Sequence, residues 1–246
     1  MNIYICELKE QEWKSPLLRA ALRSGLLDSS EAEALAQNEK KLQNQREHLI
    51  AWLLFQRVIG EMYGIQTLSE LSLAKTEQGK PYSRAYPGLH FNLSHCRSAC
   101  ACALDTIPVG IDIERRFPYK ESLMRRICTE KEHQIVESCE SLPEREQLLQ
   151  VLWSMKESVV KWNGRGMGYG MERADCTRWL LRYLKNMGGI SNKSEDGNPE
   201  LWMFLRQAPN YTLAACTAAG KGTFGDWLKA VQITKIREEE LCASWL

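Results

Sequence analysis

The chain has 246 residues, 32 basic against 31 acidic side chains and a net charge of +1; that length buries enough surface for one large domain or two small intimate ones without external staples. The charge balance excludes a nucleic-acid binder or membrane-surface protein held by whole-molecule electrostatics, so recognition by charge must be local. Nine cysteines, an odd number with no C-x-x-C pair, read as small buried hydrophobes of a reducing compartment.

Met1 to Lys14 meets acidic and basic residues before any apolar run forms, and the longest apolar stretch, Leu49 to Phe55, is far below a membrane span of roughly 20 residues. A cytoplasmic, soluble protein is expected. IYICEL reads as a strand. A polar, helix-rich region from Ser29 to Tyr63 ends in HLIAWLLFQRVIGEMYG, a strongly apolar helix stopped by Gly64. Leu71 to Ala74 could be a strand, GKP at 79–81 is a turn, and FNLS, ACACAL and VGIDIE are three short extended runs, most economically a meander.

After Arg115 the pattern turns helical: LMRRICTEKEHQIVESCE, then REQLLQVLWSMKESVVKW up to Asn163 and Gly164. Trp179 to Tyr183, Leu201 to Arg206 and Tyr211 to Thr217 look extended, with a polar hairpin or loop between the first two. Each half holds one long apolar helix and a later run of short strands. A pseudo-two-fold arrangement of two α+β halves, 1–112 and 113–246, with a site in the cleft between them, suits this plan.

Within GIDIE, Ile111 and Ile113 point one way while Asp112 and Glu114 point the other, about 7 Å apart along the strand. An exposed edge face would account for the acids, but so would a magnesium site, since a hard dication takes a few carboxylates and shares the rest of its shell with waters and substrate phosphates. In the second long helix Leu148, Leu152, Met155 and Val159 form the buried stripe, leaving Ser154, Glu157 and Lys161 opposite. Glu157 and Lys161 read either as a solvated i to i+4 pair or as a third metal carboxylate with a phosphate-neutralising lysine. His95 and Lys80 have ordinary structural readings and could each donate to phosphate. NGRGMGYG at 163–170 follows a helix where nucleotide loops precede one, and reads as a helix stop and loop.

FNLSH at 91–95, VGIDIE at 109–114 and WSMKESVVK at 153–161 together resemble the three signature motifs of the 4'-phosphopantetheinyl transferases, in the order and spacing of the surfactin-type subclass. GKP, CTEKE at 128–132 and NYTLAACTAA near the C-terminus extend the likeness from about Ala74 onward. The resemblance implies an α+β pseudo-dimer in one chain, binding coenzyme A and Mg2+, that moves the 4'-phosphopantetheine arm to a serine of an apo acyl or peptidyl carrier protein and releases adenosine 3',5'-bisphosphate. It implies Asp112, Glu114 and Glu157 as metal ligands, Lys161 and His95 on the pyrophosphate, and Lys80, Pro81 and Ser94 on the coenzyme. Glu157, or a water it orients, is the first choice of general base and Glu132 the second.

One departure stands out. Surfactin-type members grip the coenzyme 3'-phosphate with basic residues early in the chain, but Asp28 to Glu39 holds acids and no Lys or Arg; Lys40, Lys41, Arg46 and His48 are the available substitutes. Arg115, Arg116, Arg125, Arg126, Arg165, Arg173, Arg178 and Arg182 form basic clusters in the second half, and a basic rim with Met167, Tyr169 and Met171 could dock an acidic carrier; the resemblance implies 164–195 as the docking region. The expected protein is a monomer with no nucleic-acid or membrane partner. A non-catalytic coenzyme- or carrier-binding relative and a phosphoanhydride hydrolase are the rival classes.

Overall fold

The computed structural model describes residues 1–9, 13–166, 170–186, 190–191, 201–220 and 222–243. The chain opens with strand β1 (Asn2–Glu7), then helices α1 (Lys14–Arg23), α2 (Ser29–Ala36) and α3 (Glu39–Tyr63). Asp28 accepts the Glu31 amide while Glu31 caps the Asp28 amide in return, a reciprocal cap that satisfies two orphan donors of α2. Asn38 caps α3, and Gly64 ends it at φ 70°, a left-handed stop that glycine adopts without penalty.

Short strands β2 (Leu73–Lys75) and β3 (Pro81–Ser83) pair around the GKP turn, followed by β4 (His90–Cys96), β5 (Ala99–Asp105) and β6 (Val109–Arg115). The second helical run comprises α4 (Glu121–Ile127), α5 (Glu130–Glu137) and α6 (Leu142–Asn163), the last capped by Ser141 and stopped by Gly164 at φ 67°. Then come α7 (Thr177–Asn186), β7 (Ile190–Ser191), β8 (Leu201–Gln207), β9 (Tyr211–Ala218), α8 (Phe224–Ala230), β10 (Gln232–Lys235) and α9 (Glu238–Ala243).

Two four-stranded sheets result, ordered β10-β1-β5-β4 and β6-β9-β8-β7. Period-2 alternation gives each sheet two apolar faces. Cys100, Cys102 and Leu104 pack under α3, whereas Ala99, Ala101 and Ala103 meet Ile111, Ile113 and Leu213 in a core between the sheets. Ala214 and Cys216 turn outward to α6. Ile111 and Ile113 are almost fully buried, each worth about 1.5–3 kcal/mol over exposure.

Two expectations are corrected. β4 and β5 form the expected hairpin, but β6 leaves the meander and pairs with β9 in the second sheet. Trp179 to Tyr183 is helical within α7, because Trp179, Leu180 and Tyr183 recur at i, i+1 and i+4 and are the residues buried. The sequence division at residue 112 falls inside β6, and the chain returns to the first sheet when β10 pairs parallel to β1.

Candidate active site

The two sheets meet at a seam where β4 and β6 run side by side without a backbone ladder. The Ile111 amide, turned away from β9, donates to Asn92 Oδ1 at 2.9 Å, and the Ile113 amide donates to Ser94 Oγ at 3.1 Å. Two side chains of FNLSH thus satisfy the open edge of GIDIE, as buried amides require. Ser94 Oγ in turn donates to Asp112 Oδ1 at 3.0 Å.

α6 crosses the outer face of β6 at Gly110, where a Cβ would lie 2.0 Å from the Ser158 carbonyl oxygen; only glycine permits that approach. The contact brings the last turns of α6 over Asp112. Lys161 Nζ donates to Asp112 Oδ1 and to Ser94 Oγ, both at 2.8 Å, so it pairs with the strand rather than with Glu157 one turn earlier. Ser154 and Glu157, read from sequence as lying opposite the buried stripe, are themselves buried, because α6 is enclosed on this side by β6 and the seam.

Asp112 is 5% exposed, and its Oδ2 is buried with no hydrogen-bond partner. Burial pushes the Glu157 carboxyl above the usual range, with Lys161 pulling it down and Asp112 pushing it up. Burial likewise raises Glu114, despite the Arg115 amide on its Oε1, and Asp112 adds to the effect. Asp112 repelling a glutamate on either side, with Lys161 as its partner, and one buried oxygen without a donor fit a dication. Among the described residues no three acids, histidines or cysteines already close on one point; Lys161 holds Asp112 Oδ1 and leaves Oδ2 open, and Mg2+ completes its shell with water and phosphate oxygens.

His95, at the end of β4, places its ring 5.9 Å from that of His48 on α3, edge to face and partly shielded by it. Burial of the imidazole lowers its pKa, and His48 and Lys161 lower it further. Beside it lies a cavity of about 1430 Å³ lined by Lys9, Lys14, Arg19, Arg46, Arg97 and Glu47.

Residues 108–216, which span β6 through β9, match the family profile of the 4'-phosphopantetheinyl transferase superfamily. The chain is 34% identical over 189 residues to the 4'-phosphopantetheinyl transferase psf-1 of Bacillus pumilus, covering 77% of this chain and 78% of that one. This chain belongs to the 4'-phosphopantetheinyl transferase superfamily. It is 31% identical to the transferase gsp of Aneurinibacillus migulanus, over 78% of each chain. It is 28% identical to the transferase Sfp of Bacillus subtilis, over 69% of this chain and 73% of that one, which agrees with the surfactin-type subclass.

Among the residues singled out from this transferase's sequence, Asp112, Glu114, Glu157, Lys161, Ser94 and His95 gather at the seam. Four others do not. Glu132 is fully buried: its carboxylate accepts the Thr129 and Cys176 amides at 2.7 and 2.6 Å and pairs with Lys156 at 2.8 Å. Both oxygens are occupied, so it offers no open face to a substrate hydroxyl. Arg46 is 5% exposed, donating to Glu238 at 2.8 Å and to the Lys9 carbonyl at 2.6 Å beneath the Trp13 ring. It lines the cavity but is already paired. Lys41 is exposed on the first turn of α3, outside the cavity lining. Lys80 Nζ donates to three backbone carbonyls, those of Val109, Lys161 and Trp162, at 3.2, 2.7 and 3.0 Å. Pro81 follows it as the first residue of β3.

The acids at 28–39 that interrupt the expected basic segment also find a use: Asp28 and Glu31 cap α2, and Glu39 pairs with Lys14 of α1. Asn92 is a structural residue of the site that the sequence reading passed over, and Lys156, away from the site, is the buried partner of Glu132. Asn92 stands two residues before Ser94, on the same strand face, and that period-2 spacing was the available signal. Met167 and Tyr169, read as docking residues, lie outside the described residues.

Proposed function

We propose that the chain transfers the 4'-phosphopantetheine arm of coenzyme A to a serine hydroxyl of an apo acyl or peptidyl carrier protein, with Mg2+, releasing adenosine 3',5'-bisphosphate. The observation that carries this reading is the junction of Asp112, Ser94 and Lys161 from three elements, with Asp112 Oδ2 left unpartnered. Asp112, Glu114 and Glu157 would hold the metal, which when bound neutralises pyrophosphate charge and polarises the attacked phosphorus.

The chain's own groups supply the rest. Lys161, released from Asp112 as charge is compensated there, donates to a phosphate oxygen, and His95 donates to the pyrophosphate from the β4 side. Glu157, one helix turn from Lys161 at the seam, takes the serine proton directly or through a water it orients, as a carboxylate positioned beside the incoming hydroxyl can. Phosphoryl-type transfer depends mostly on positioning and charge neutralisation, and the seam fixes three of these side chains on a strand pair and a long helix.

The nucleotide end of the coenzyme is assigned to the basic cavity beside His95, where Arg19 and Arg97 join Lys9, Lys14 and Arg46. The two sheets, with α3 and α6 on their outer faces, are read as the two α+β halves of a pseudo-two-fold pair, the site lying between them. α7 exposes Leu181 and Leu184 beside Arg178 and Arg182, an apolar pair among cations that suits an acidic carrier. The nine unbonded cysteines support a reducing, cytosolic compartment, a monomer is the expectation carried over from the family, and no helix among the described residues is long and apolar enough to cross a membrane.

Incubation with coenzyme A and a panel of apo carriers, with Mg2+ or with chelator, tests the proposal. Carriers should gain the mass of one phosphopantetheine arm only when Mg2+ is present. Nucleotide release without a carrier would replace the reading with a hydrolase, and coenzyme binding without transfer would replace it with a non-catalytic relative.

A further inference from the structure

The turn that carries Lys80 joins β2 to β3 in the first half of the chain, yet its side chain ends on the second. α6 stops at Gly164, whose amide returns to the Val160 carbonyl. A helix end leaves four carbonyls without intrahelical donors. Lys80 supplies donors to two of them, on Lys161 and Trp162, and places a cation at the negative end of the helix dipole. Its stem packs on the helix stop, where a Cβ at Gly164 would lie 3.2 Å from Lys80 Cδ.

The third acceptor is the Val109 carbonyl, one residue before Gly110, where α6 and β6 approach most closely. A single ammonium therefore links the first residue of the strand bearing Asp112 and Glu114 to the last turn of the helix bearing Glu157 and Lys161. All three ammonium donors are engaged, and a phosphate could recruit one only by leaving a carbonyl unsatisfied. Burial also lowers the Lys80 pKa, consistent with a group enclosed by protein.

We infer that Lys80 is a positioning residue that sets the register of α6 on β6, and so the distance between Lys161 and Asp112, rather than a coenzyme ligand. This rests on the transferase reading of that site. A displacement of about 1 Å between catalytic groups is enough to cost about 10²-fold in rate.

Lys80→Met keeps the stem and removes the donors. Kinetics with coenzyme A and with 3'-dephospho-coenzyme A, alongside amide hydrogen exchange across residues 158–164 of the ligand-free protein, give the test. The expected result is a kcat lower by about 10–100-fold with KM for coenzyme A within about threefold of wild type. The preference between the two coenzymes should be unchanged, and exchange in the last turn of α6 faster. A KM raised about tenfold or more at unchanged kcat, a lost preference for the 3'-phosphate, or unaltered exchange would overturn the inference. If Lys80→Met does not fold, Lys80→Gln, which retains two donors, takes its place in the same measurements. Absence of transfer by the wild type would refute the function alone, because exchange reports on Lys80 without any activity.

Discussion

Lys161 Nζ and Asp112 Oδ1 lie 2.8 Å apart across the boundary between α6 and β6, and Ser94 Oγ bonds to both. Asp112→Asn keeps the shape but removes the charge that Lys161 and a dication share. Transfer should fall by about three orders of magnitude, the scale of losing a preorganised electrostatic partner. Because Asp112 is buried and bonded rather than on a free polar face, stability should also fall by about 1–3 kcal/mol. Carrier loading by mass spectrometry checks the first part and calorimetry with and without Mg2+ the second: the variant should melt lower, and wild type should gain Tm with the metal while the variant should not.

His95 gives a pH dependence. Burial, then the His48 and Lys161 charges, lower its pKa, while Glu47 opposes them, which favours the neutral ring in the free protein. A phosphate beside it favours the imidazolium, and coenzyme binding should take up a proton. Affinity should therefore weaken from about pH 6 to about pH 8, and binding enthalpy should vary with the ionisation enthalpy of the buffer. The sign for folding is opposite to that of a paired histidine: with the folded pKa below the unfolded 6.5, the stabilising contribution is present above 6.5 and is lost as pH falls toward the folded value. His95→Gln should reduce both the proton uptake and the acid sensitivity of Tm.

Asn92→Ala removes the acceptor of the buried Ile111 amide. An unsatisfied buried donor costs about 1–3 kcal/mol, and each kcal/mol is about 2–4 °C of Tm in a chain of this size. Thermal melts should show that loss, with kcat falling because Ser94 and Asp112 lie on the same seam.

Glu132→Gln separates a base from a strut. Breaking a fully buried ion pair costs about 3–5 kcal/mol, so denaturant midpoints should drop sharply. The fraction that remains folded at low temperature should retain transfer activity per folded molecule, as no base would.

Leu181→Ser with Leu184→Ser should raise KM for the carrier by about tenfold, the effect of about 1.4 kcal/mol, and leave KM for coenzyme A unchanged. Titration of salt should weaken carrier binding in wild type and variant alike.

Much of the site was legible because its chemistry requires particular side chains at fixed intervals. The alternation of GIDIE separated core isoleucines from acids, and the four-residue step from Glu157 to Lys161 put both near one helix face. What escaped was long-range in origin. Lys80 and Glu132 lie in or near recognisable motifs, yet their partners are backbone groups of Trp162 and Cys176, far away in sequence, and a carbonyl or amide leaves no mark in composition. α7 was misread because TRWLLRYL is rich in residues that strands also favour, and only its i, i+1, i+4 burial shows the helix. Gly110 gave no local turn signal, since its need arises from α6 laid across it.

The return of β10 to pair with β1 orders events on the ribosome. The first sheet cannot be completed by the N-terminal segment alone: one flank of β1, and the partner that Glu238 offers to Arg46, are synthesised only after the strands of the second sheet. Until then the nascent polypeptide carries an open strand edge and an uncompensated interior guanidinium, the kind of partly assembled surface that invites aggregation and chaperone capture.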